Sequence, residues 1–404
     1  MITPKIRFKD HSGDNFPEWN FVQIGNIAEI VGGGTPSTSI SKYWNGPIQW
    51  LTPTEINSKY VHSSKRTITF SGLSNSSAKL LPTGALLLTT RATIGACSIN
   101  NFDGPICTNQ GFQSLICKDM VNNEFAYYAI TLDSFQKSLI KHSSGSTFLE
   151  ISPKNLKKLL LPVPDLREQE KIASFFSSID QKIDLAERKL EILRTQKKGI
   201  IQVIFDKGVQ NQWKTYYLSE LLQFQNGINA DRDAFGSGTK LISVSEVLDS
   251  KPIRYDDIRS SVEVDEDIQT RFSVSYGDVL FQRSSEIIED AGTANIYIDK
   301  DRNCVFGGFV IRGKKIADYD PIFLKEVLRA PYVRRQMMML AQGAQHINIG
   351  QDSLAMVSVQ LPSIEDQQRY TNVISGFDLK IDIQERKIKA LKEIKMALLQ
   401  KMFV

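Results

Sequence analysis

The sequence is poor in the residues that build disulfide frameworks and metal sites. It has 4 cysteines and 4 histidines in 404 residues, and no two cysteines form a Cys-x-x-Cys pair. A zinc site or a set of structural disulfides is therefore disfavoured, and the sequence predicts no cofactor. No apolar run reaches the length of a membrane span, and the first ten residues lack the apolar core of a secretory signal. We therefore expect a cytoplasmic protein with no membrane partner.

Sequence motifs of enzymes are missing as well. Residues Gly32–Ser37 could hold a phosphate with backbone N–H groups, but they lack the Gly-Lys-[Ser/Thr] ending of nucleotide-hydrolysing loops. Residues Asp233–Gly238 are similar to the Phe-x-Gly-x-Gly loop of adenine methyltransferases, but a polar stretch precedes them and the chain has no Pro-Pro pair. We interpret this segment as a flexible loop. No nucleophile lies next to a base, so we expect a protein without catalytic activity.

The chain repeats itself at an offset of 198 residues. Residues 168–172 (EQEKI) align with 366–370 (DQQRY), and 200–205 (IIQVIF) align with 398–403 (LLQKMF). Trp19 and Trp213 open the two copies. We therefore interpret the chain as two halves, each a region of about 150 residues followed by a segment of about 40.

The two shorter segments have the apolar spacing of a coiled coil. Steps of four and three residues continue over about four to five heptads in both copies, which is longer than a typical globular helix. Lysine interrupts both seams at the same place. The first seam is Ile172, Phe176, Ile179, Ile183, Ala186, Leu190, Leu193, Lys197, Ile200 and Ile204, and the second is Tyr370, Ile374, Phe377, Ile381, Gln384, Ile388, Leu391, Lys395, Leu398 and Met402.

Both predicted helices begin behind prolines. Pro162 and Pro164 precede Asp165–Glu168, Pro362 precedes Ser363–Asp366, and both four-residue stretches have a capping-box pattern. Helices of roughly 40 residues are about 60 Å long. Because the first helix leads away from the first globular region, we expect the second helix to return antiparallel to it. The alternative is that each helix packs only on its own globular region.

The two longer regions are predicted to be β-rich. Short runs of β-branched and aromatic residues, such as Leu86–Thr90 and Val305–Ile311, are separated by turn-forming clusters. One short helix is expected over residues 123–141 and its counterpart over 321–341. The sequence thus predicts an α+β fold with a pseudo-twofold tandem repeat. It has two β-rich domains, residues 1–164 and 207–361, separated by a long antiparallel coiled coil of two helices, residues 165–206 and 362–404.

Several motifs together resemble the DNA-specificity subunits of type I restriction-modification enzymes, and the resemblance covers the whole chain. Besides the tandem repeat, they are Gly33–Ser37 followed by Tyr43-Trp44 and Ile48–Pro53, Arg91–Gly95 after a predicted strand, Asn109–Phe112, and Leu161-Pro162 leading into Gln169–Ile172. The second copy departs from this pattern. It has Gln225–Ile228 where the first has the glycine-rich stretch, and Val305–Phe309 opposite Thr108–Phe112.

The resemblance implies a non-catalytic protein that recognises double-stranded DNA. Each globular region would be a target recognition domain for one half of a bipartite site. The helices would set the spacer and dock two methyltransferase subunits, while nuclease and translocase activity would belong to a further restriction subunit of the complex. Two alternatives stay open: a coiled-coil scaffold that does not bind DNA, and a fused DNA methyltransferase or nuclease.

Charge is split unequally between the two globular regions. Residues 1–164 contain 15 basic and 10 acidic side chains, whereas residues 207–361 contain 18 and 21. Because phosphate neutralisation supplies most non-specific DNA affinity, the second region needs a local basic face. The candidates for this face are Arg329, Arg334 and Arg335, together with Arg312, Lys314 and Lys315, although all of them could equally be solvated surface residues.

For base reading we expect polar side chains on loops that can reach a groove edge. The candidates are Lys42, Tyr43, Asn45, Thr54 and Arg91 in the first domain, and Ser243, Ser245, Arg283 and Ser285 in the second. Arg91 and Arg283 both follow the matched strand, so a phosphate or structural role common to both copies is an equal alternative. Trp44 and Trp50 are expected in the core. The candidates for methyltransferase docking are Arg188, Lys189, Arg386 and Lys387.

Overall fold

The computed structural model describes residues 4–91, 93–145, 149–210, 213–343 and 345–403. Ala92 of the motif Arg91–Gly95 lies outside the described residues. Contacts divide the chain into unit one, residues 1–188 and 385–404, and unit two, residues 189–384. Each unit therefore contains one globular region together with parts of two long helices. No helix in the described ranges is long and apolar enough to cross a membrane.

Unit one contains the first set of strands and the start of the first long helix. The strands are β1 (Asn20–Gln23), β2 (Ala28–Gly32), β3 (Trp44–Leu51), β4 (Tyr60–Val61), β5 (Arg66–Ile68), β6 (Leu86–Leu88), β7 (Cys97–Asn100), β8 (Ile106–Thr108), β9 (Gln113–Cys117) and β10 (Leu160–Val163). The helices are α1 (Ile24–Ile27), α2 (Phe70–Ser74), α3 (Asn123–Thr131), α4 (Asp133–Lys141), α5 (Pro153–Lys158) and α6 (Leu166–Gln210), which continues into unit two.

The strands of unit one form a five-stranded sheet in the order β2-β9-β6-β7-β4, a three-stranded sheet β5-β3-β8, and the pair β1-β10. Strand β6 lies inside the larger sheet, and its three leucines are fully buried. Leu86 and Leu88 pack in the cluster that contains α3, whereas Leu87 packs with Leu51 and Phe112. Burial on both faces explains why this strand is a continuous apolar run rather than an alternating one.

Unit two contains the second set of strands and the start of the second long helix. The strands are β11 (Lys214–Tyr217), β12 (Leu222–Asn226), β13 (Phe235–Ile242), β14 (Ser260–Val262), β15 (Val279–Gln282), β16 (Ser284–Ser285), β17 (Ala294–Ile296), β18 (Val305–Phe306), β19 (Val310–Lys315), β20 (Ile347–Asn348) and β21 (Ser358–Leu361). The helices are α7 (Leu218–Leu221), α8 (Val244–Leu248), α9 (Glu266–Arg271), α10 (Pro321–Leu328), α11 (Pro331–Leu340), α12 (Gln351–Ala355) and α13 (Ile364–Phe403), whose last turns belong to unit one.

Unit two repeats the sheet topology of unit one. It has a four-stranded sheet in the order β12-β19-β15-β17, a three-stranded sheet β14-β13-β18, and the pairs β11-β21 and β16-β20. In place of β4, a parallel bridge joins Ile253 to Tyr297 beside β17. The predicted α+β tandem repeat, with two β-rich domains and two long helices, is therefore confirmed.

Each predicted short helix is a pair of helices in the structure, so the prediction of one continuous helix was wrong at both places. In unit one, α3 and α4 are separated by Leu132, whose backbone is extended. The side chain of Gln136 stabilises this break by donating to the carbonyl oxygen of Ile130 at 2.7 Å. In unit two, Pro331 begins α11 and forces the extended conformation of Ala330 before it.

Residues 233–238 do not form the flexible loop that we expected, because β13 begins at Phe235. The pairing of β13 with β14 shifts register after Phe235, and Gly236 and Gly238 there have φ values of 110° and 83°. Strand β3 of unit one has the corresponding register shift after Trp44, next to Asn45 with φ 62°. Left-handed backbone at these positions permits a β-bulge in both repeats.

The two long helices begin behind the prolines, but the predicted capping boxes form only on the N-cap side. Asp165 accepts a backbone N–H of the first turn of α6 at 3.0 Å, whereas Glu168 binds Arg7 at 2.7 Å. At α13, Ser363 accepts the N–H of Asp366 at 3.2 Å, and the Asp366 carboxylate pairs with an arginine one turn later. In both helices the carboxylate pairs with an arginine, and within the described ranges it makes no hydrogen bond to the N-cap N–H.

Every residue of the two predicted seams is buried or half-buried within its unit. In unit one, Lys392 contacts Glu187 at 2.7 Å and Lys395 contacts Asp180 at 2.5 Å. Residue numbers rise along one helix as they fall along the other, so the helices run antiparallel. The coiled-coil pairing predicted from the apolar spacing is therefore confirmed.

The two seam lysines form equivalent ion pairs. Lys395 binds Asp180 in unit one, and Lys197 binds Asp378 in unit two at 2.7 Å. Both lysines and both aspartates are related by the repeat offset of 198 residues. A pair of opposite charges at a fixed level of an apolar seam disfavours other registers, because sliding one helix would leave each charge among apolar neighbours.

An aromatic cluster joins each globular region to the helices of its unit. Trp19 packs edge-on against Phe125 of α3 and Phe403 of α13, with ring centroids 6.1 and 5.8 Å away. Its indole N–H donates to Glu168 at 3.0 Å. The equivalent residues of unit two are Trp213, Phe323 and Phe205, with centroid distances of 5.7 and 6.3 Å. Both clusters are therefore completed by the last turns of a long helix.

In unit two the seam lysine, Lys197, also forms an ion pair with the buried carboxylate of Glu326. Lys197 Nζ lies 3.7 Å from Glu326, whose side chain is only 9% exposed. Burial alone would raise the pKa of Glu326, but Lys325, Lys197 and Arg329 outweigh burial and hold the pKa below its usual range. Lys197 is thus shared between a buried and a half-exposed carboxylate.

We expect Lys197→Ala to lower the free energy of unfolding by more than Asp378→Ala. The first change removes a cation from a buried carboxylate and costs about 1–3 kcal/mol. Asp378 is 43% exposed, so its loss costs less than about 1 kcal/mol. Urea titrations measure both values, with the exposed Lys198→Ala as the control. Equal losses for the two variants would contradict the shared role of Lys197.

Candidate nucleic-acid interface

Four loops of unit one meet beside the ends of its sheets, and we call them loop cluster one. They are residues 33–37 after β2, 52–55 after β3, 89–91 after β6, and 109–111 between β8 and β9. Backbone hydrogen bonds fix the loops against neighbouring strands and against one another. Gly34 N donates to Thr108 O at 2.8 Å, Asn109 N to Leu51 O at 3.0 Å, and Thr90 N to Gly111 O at 2.8 Å.

Two buried tryptophans hold the glycine-rich loop of this cluster. The indole N–H of Trp50 donates to Gly34 O at 2.8 Å, and that of Trp44 donates to Ser37 O at 3.1 Å. The rings pack edge-on at 5.1 Å, and the Arg66 guanidinium stacks 3.6 Å from the Trp44 ring. The prediction that both tryptophans are core residues is confirmed, and they also position the loop.

A close approach of two backbones requires glycine at an equivalent place in each repeat. A Cβ added to Gly33 would lie 1.9 Å from the carbonyl oxygen of Asn109. A Cβ added to Gly227 would lie 2.2 Å from the carbonyl oxygen of Gly307. The glycine-rich stretch of unit one therefore serves loop packing, and the QNGI stretch of unit two does the same.

Unit two contains the equivalent loop cluster two, residues 227–231, 243–246, 283–285 and 307–309. In this cluster Ile228 N donates to Phe306 O at 2.9 Å, as Gly34 N donates to Thr108 O in unit one. The same backbone frame therefore supports two sets of side chains that differ in sequence.

A capped turn follows the central strand of both three-stranded sheets. In unit one, the Thr52 hydroxyl and N–H both donate to Glu55 at 2.7 Å, and in unit two Ser243 binds Glu246 in the same way. Burial opposes ionisation of Glu246, but hydrogen bonds from Ser243 and Ser245 outweigh burial and hold the pKa of Glu246 below its usual range. The next residue but one after each cap, Thr54 or Ser245, is exposed on the turn.

Thr90, and not Arg91, is the structural equivalent of Arg283. The N–H groups of Thr90 and Arg283 donate to equivalent loop residues, Gly111 and Phe309, at 2.8 and 2.9 Å. Arg91 is thus one position further along, and successive strand residues point to opposite faces. The two arginines thus do not occupy equivalent positions, and a role common to both copies stays a prediction.

The candidate contacts of unit one lie in two places. Thr54 and Arg91 belong to loop cluster one, where both of their loops approach Gly111. Arg91 is half-exposed, with its Nε 3.6 Å from Glu150. The remaining candidates, Lys42, Tyr43 and Asn45, lie at the other end of β3, in the turn and bulge where that strand begins.

The basic candidates of unit two differ in exposure. Arg329 donates to the carbonyl oxygens of residues 249 and 250 at 2.6 and 3.2 Å, and Arg334 donates to those of residues 289 and 291. Arg312 is buried and binds Gln225 at 2.5 Å, and Lys315 binds the carbonyl oxygen of residue 319 at 2.9 Å. Arg335 and Lys314 are exposed. Three of the arginines therefore hold loops of their own unit.

The remaining candidates of unit two belong to loop cluster two. Ser243 caps its turn, Ser245 is exposed, and Arg283 is half-buried with its guanidinium 3.4 Å from the carbonyl oxygen of Gly308. Ser285 is buried, and its hydroxyl accepts the N–H of Ile287 at 3.2 Å.

The docking candidates all lie on exposed positions of the long helices. Arg188 of α6 and Arg386 and Lys387 of α13 belong to unit one, whereas Lys189 of α6 belongs to unit two. None of these positions is part of an apolar seam.

Sequence reasoning missed three polar residues of the loop clusters, Thr35, Gln110 and Asn229. Thr35 and Gln110 form a hydrogen bond across two loops of cluster one, and Asn229 is exposed in cluster two. A signal was present, because Thr35 and Asn229 lie two positions after Gly33 and Gly227, and Gln110 follows Asn109, whose carbonyl oxygen approaches Gly33. Their equivalent places in the two clusters become visible only from the matching backbone hydrogen bonds.

Comparisons of sequence give a consistent family. Residues 17–194 match the type I restriction modification DNA specificity domain. The specificity subunit of the type I restriction enzyme MjaIX from Methanocaldococcus jannaschii is 26% identical over 98% of this chain and 96% of its own length. The EcoR124I/EcoR124II specificity subunit of Escherichia coli is 27% identical over 40% of this chain and 41% of its own length.

Solved structures have the same fold. The S subunit of a type I restriction-modification system from M. genitalium has a TM-score of 0.59 and 15% identity, covering 100% of this chain and 99% of that chain. A chain from a structure of complex assembly and conformational transition in the type I system has a TM-score of 0.60 and 16% identity, covering 96% and 98%. The protein thus has the tandem-repeat fold of these chains. Residues 17–194 match a type I specificity domain, and the whole chain is similar in sequence to type I restriction-modification specificity subunits.

We expect Gly33→Ala to destabilise unit one and disorder loop cluster one. The new Cβ would overlap a backbone oxygen at 1.9 Å, and such overpacking costs about 1–3 kcal/mol of the free energy of unfolding. Thermal unfolding and limited proteolysis measure the effect. The matched control is Gly104→Ala in the same unit, where no atom lies within 4 Å of the added Cβ. Equal stability of the two variants would show that the loops do not need this close approach.

Proposed function

We propose that this chain is the non-catalytic DNA-specificity subunit of a type I restriction-modification complex, and that each unit reads one half of a bipartite DNA target. The observation that carries this proposal is the pair of loop clusters, which have one backbone frame and two different sets of exposed side chains. A shared frame with different polar groups is suited to two half-sites of different sequence, because base edges are read by side chains. The similarity of the whole chain to type I specificity subunits supports the same conclusion.

We assign the parts of the chain as follows. Residues 1–164 and 207–361 are the target recognition domains, and residues 165–206 and 362–404 are the helices that set the spacer. The exposed or half-exposed candidates contact DNA: Lys42, Tyr43, Asn45, Thr54, Arg91, Ser243, Ser245, Arg283 and Arg335. Ser285, Arg329 and Arg334 support this surface from within unit two, since their polar groups bind backbone atoms.

The long helices dock two methyltransferase subunits, one near Arg188 and Lys189 and one near Arg386 and Lys387. The repeat supports this assignment, because the four residues occupy matched positions of α6 and α13 at the offset of 198. Two equal surfaces bind two equal partners. The restriction subunit, which carries nuclease and translocase activity, joins through the assembled complex, and the complex acts in the cytoplasm on double-stranded DNA.

Replacing residues 207–361 by the corresponding domain of a relative should change one half of the methylation target and leave the other half unchanged. Each recognition domain has its own core, so distant sites should contribute independently. Methylation mapping of genomic DNA in cells that express the hybrid with its methyltransferase measures the target. The unaltered chain is the control. A change in both halves would contradict modular reading, and the absence of any methylated bipartite target for the unaltered chain would favour a scaffold that does not bind DNA.

Charge reversal at one docking position should reduce the number of bound methyltransferase subunits from two to one. The variants are Arg188→Glu with Lys189→Glu, and Arg386→Glu with Lys387→Glu, and native mass measurement of the reconstituted complex gives the stoichiometry. Lys198→Glu, on an exposed position of α6, is the control and should leave two subunits bound. Two subunits at saturation in both reversal variants would place the docking surface elsewhere.

A further inference from the structure

The loop clusters of both units carry a carboxamide at the same place, although the carboxamide comes from different loops. In loop cluster one it belongs to Gln110, between β8 and β9, whose side chain is exposed. Its oxygen accepts the hydroxyl of Thr35, which lies on the loop after β2. The carboxamide of unit one is therefore at the contact between these two loops.

In loop cluster two the carboxamide comes from the other loop, the one after β12. Equivalent backbone hydrogen bonds match Thr35 with Asn229 and Gln110 with Gly308. A Cβ added to Gly308 would lie 1.8 Å from the side-chain oxygen of Asn229. The Asn229 carboxamide thus occupies the space that a side chain at position 308 would need, and it is exposed as well.

We propose that Gln110 and Asn229 are equivalent DNA-positioning residues, each of which donates its amide N–H to a phosphate oxygen of its own half-site. The proposal rests on the proposed function, and it names residues outside the candidates predicted from the sequence. One residue of the pair serves each recognition domain.

Both carboxamides are exposed to solvent, but only one of them makes a hydrogen bond within the part of the protein that the structure describes. Gln110 is tied to Thr35, but among the described residues the Asn229 side chain makes no hydrogen bond. Holding two loops together is therefore not a task that both residues perform. What both supply is an amide N–H that is open to solvent at the contact of two loops.

A phosphate is a better partner for this group than a base. Reading adenine with a carboxamide uses both the oxygen and the nitrogen, and the Gln110 oxygen already accepts the Thr35 hydroxyl. The nitrogen of Gln110 has no hydrogen-bond partner within the described part of the chain, so it remains available as a donor. The neighbouring side chains differ between the clusters while the carboxamide is kept, which suits a contact that is independent of sequence.

The exchange of loops provides the test. Gln110→Gly should weaken binding to a duplex with the mapped target by about tenfold, the size expected for one hydrogen bond to a charged group. The double change Thr35→Asn with Gln110→Gly transfers the arrangement of unit two and should restore most of the affinity. In unit two, Asn229→Thr should weaken binding in the same way, and Asn229→Thr with Gly308→Gln should restore it.

The measurement uses the full chain with its methyltransferase subunits and fluorescent duplexes that contain either the mapped target or single-base variants of it. Asn101→Ala, an exposed carboxamide outside the clusters, is the control and should bind normally. Unfolding temperatures of all variants show whether each one is folded. A loss of equal size on every duplex, with restoration by the double changes, supports the phosphate contact.

Several outcomes would overturn the inference. They are normal binding by Gln110→Gly, a loss confined to one base pair, and double variants that bind no better than single ones. The first would mean no contact, the second base reading, and the third a purely structural role. If the unaltered complex binds no bipartite duplex at all, the proposed function itself fails, and this result is distinct from the other three.

Discussion

The burial of two matched apolar seams is the constraint on which the rest of the structure depends. Neither seam can be covered by its own repeat alone, because each unit pairs the first turns of one long helix with the last turns of the other. The aromatic clusters extend this dependence into the globular regions, where Trp19 packs on Phe403 and Trp213 packs on Phe205. The helix of each repeat is therefore needed to bury the seam of the other repeat.

A fixed frame with variable side chains explains how one fold can serve two recognition tasks. The close backbone contacts at Gly33 and Gly227 and the capped turns at Thr52 and Ser243 are the same in both units. The residues between these points are free to differ without loss of the frame. Specificity can therefore change in one unit while the core of that unit and the seam lysines stay the same.

Features that follow from a repeated apolar spacing could be predicted from the sequence. Features that depend on a single residue or on a partner far away in the chain could not. The seams were predictable because a 3.5-residue period is repeated many times. That Arg91 and Arg283 both follow a matched strand was predictable, whereas the hydrogen bonds that set Arg91 one position beyond the equivalent of Arg283 come from distant loops. The capping box at Glu168 was wrong because its partner, Arg7, is 161 residues away in the chain. The polar residues of the loop clusters were missed because their neighbours also come from distant loops.

The position of Phe403 has a consequence for how the protein is made. Phe403 packs against Trp19, Phe125 and Phe176, so the core of the first globular region includes a residue that the ribosome adds only after the whole second globular region. At translation rates of about 5–20 residues per second, the stretch from residue 189 to Phe403 takes roughly 10–40 s to be made. During that time the first region has an uncovered apolar edge, whereas Phe205 is already present when the second region emerges. The region that is synthesised first is therefore the one that completes its core last.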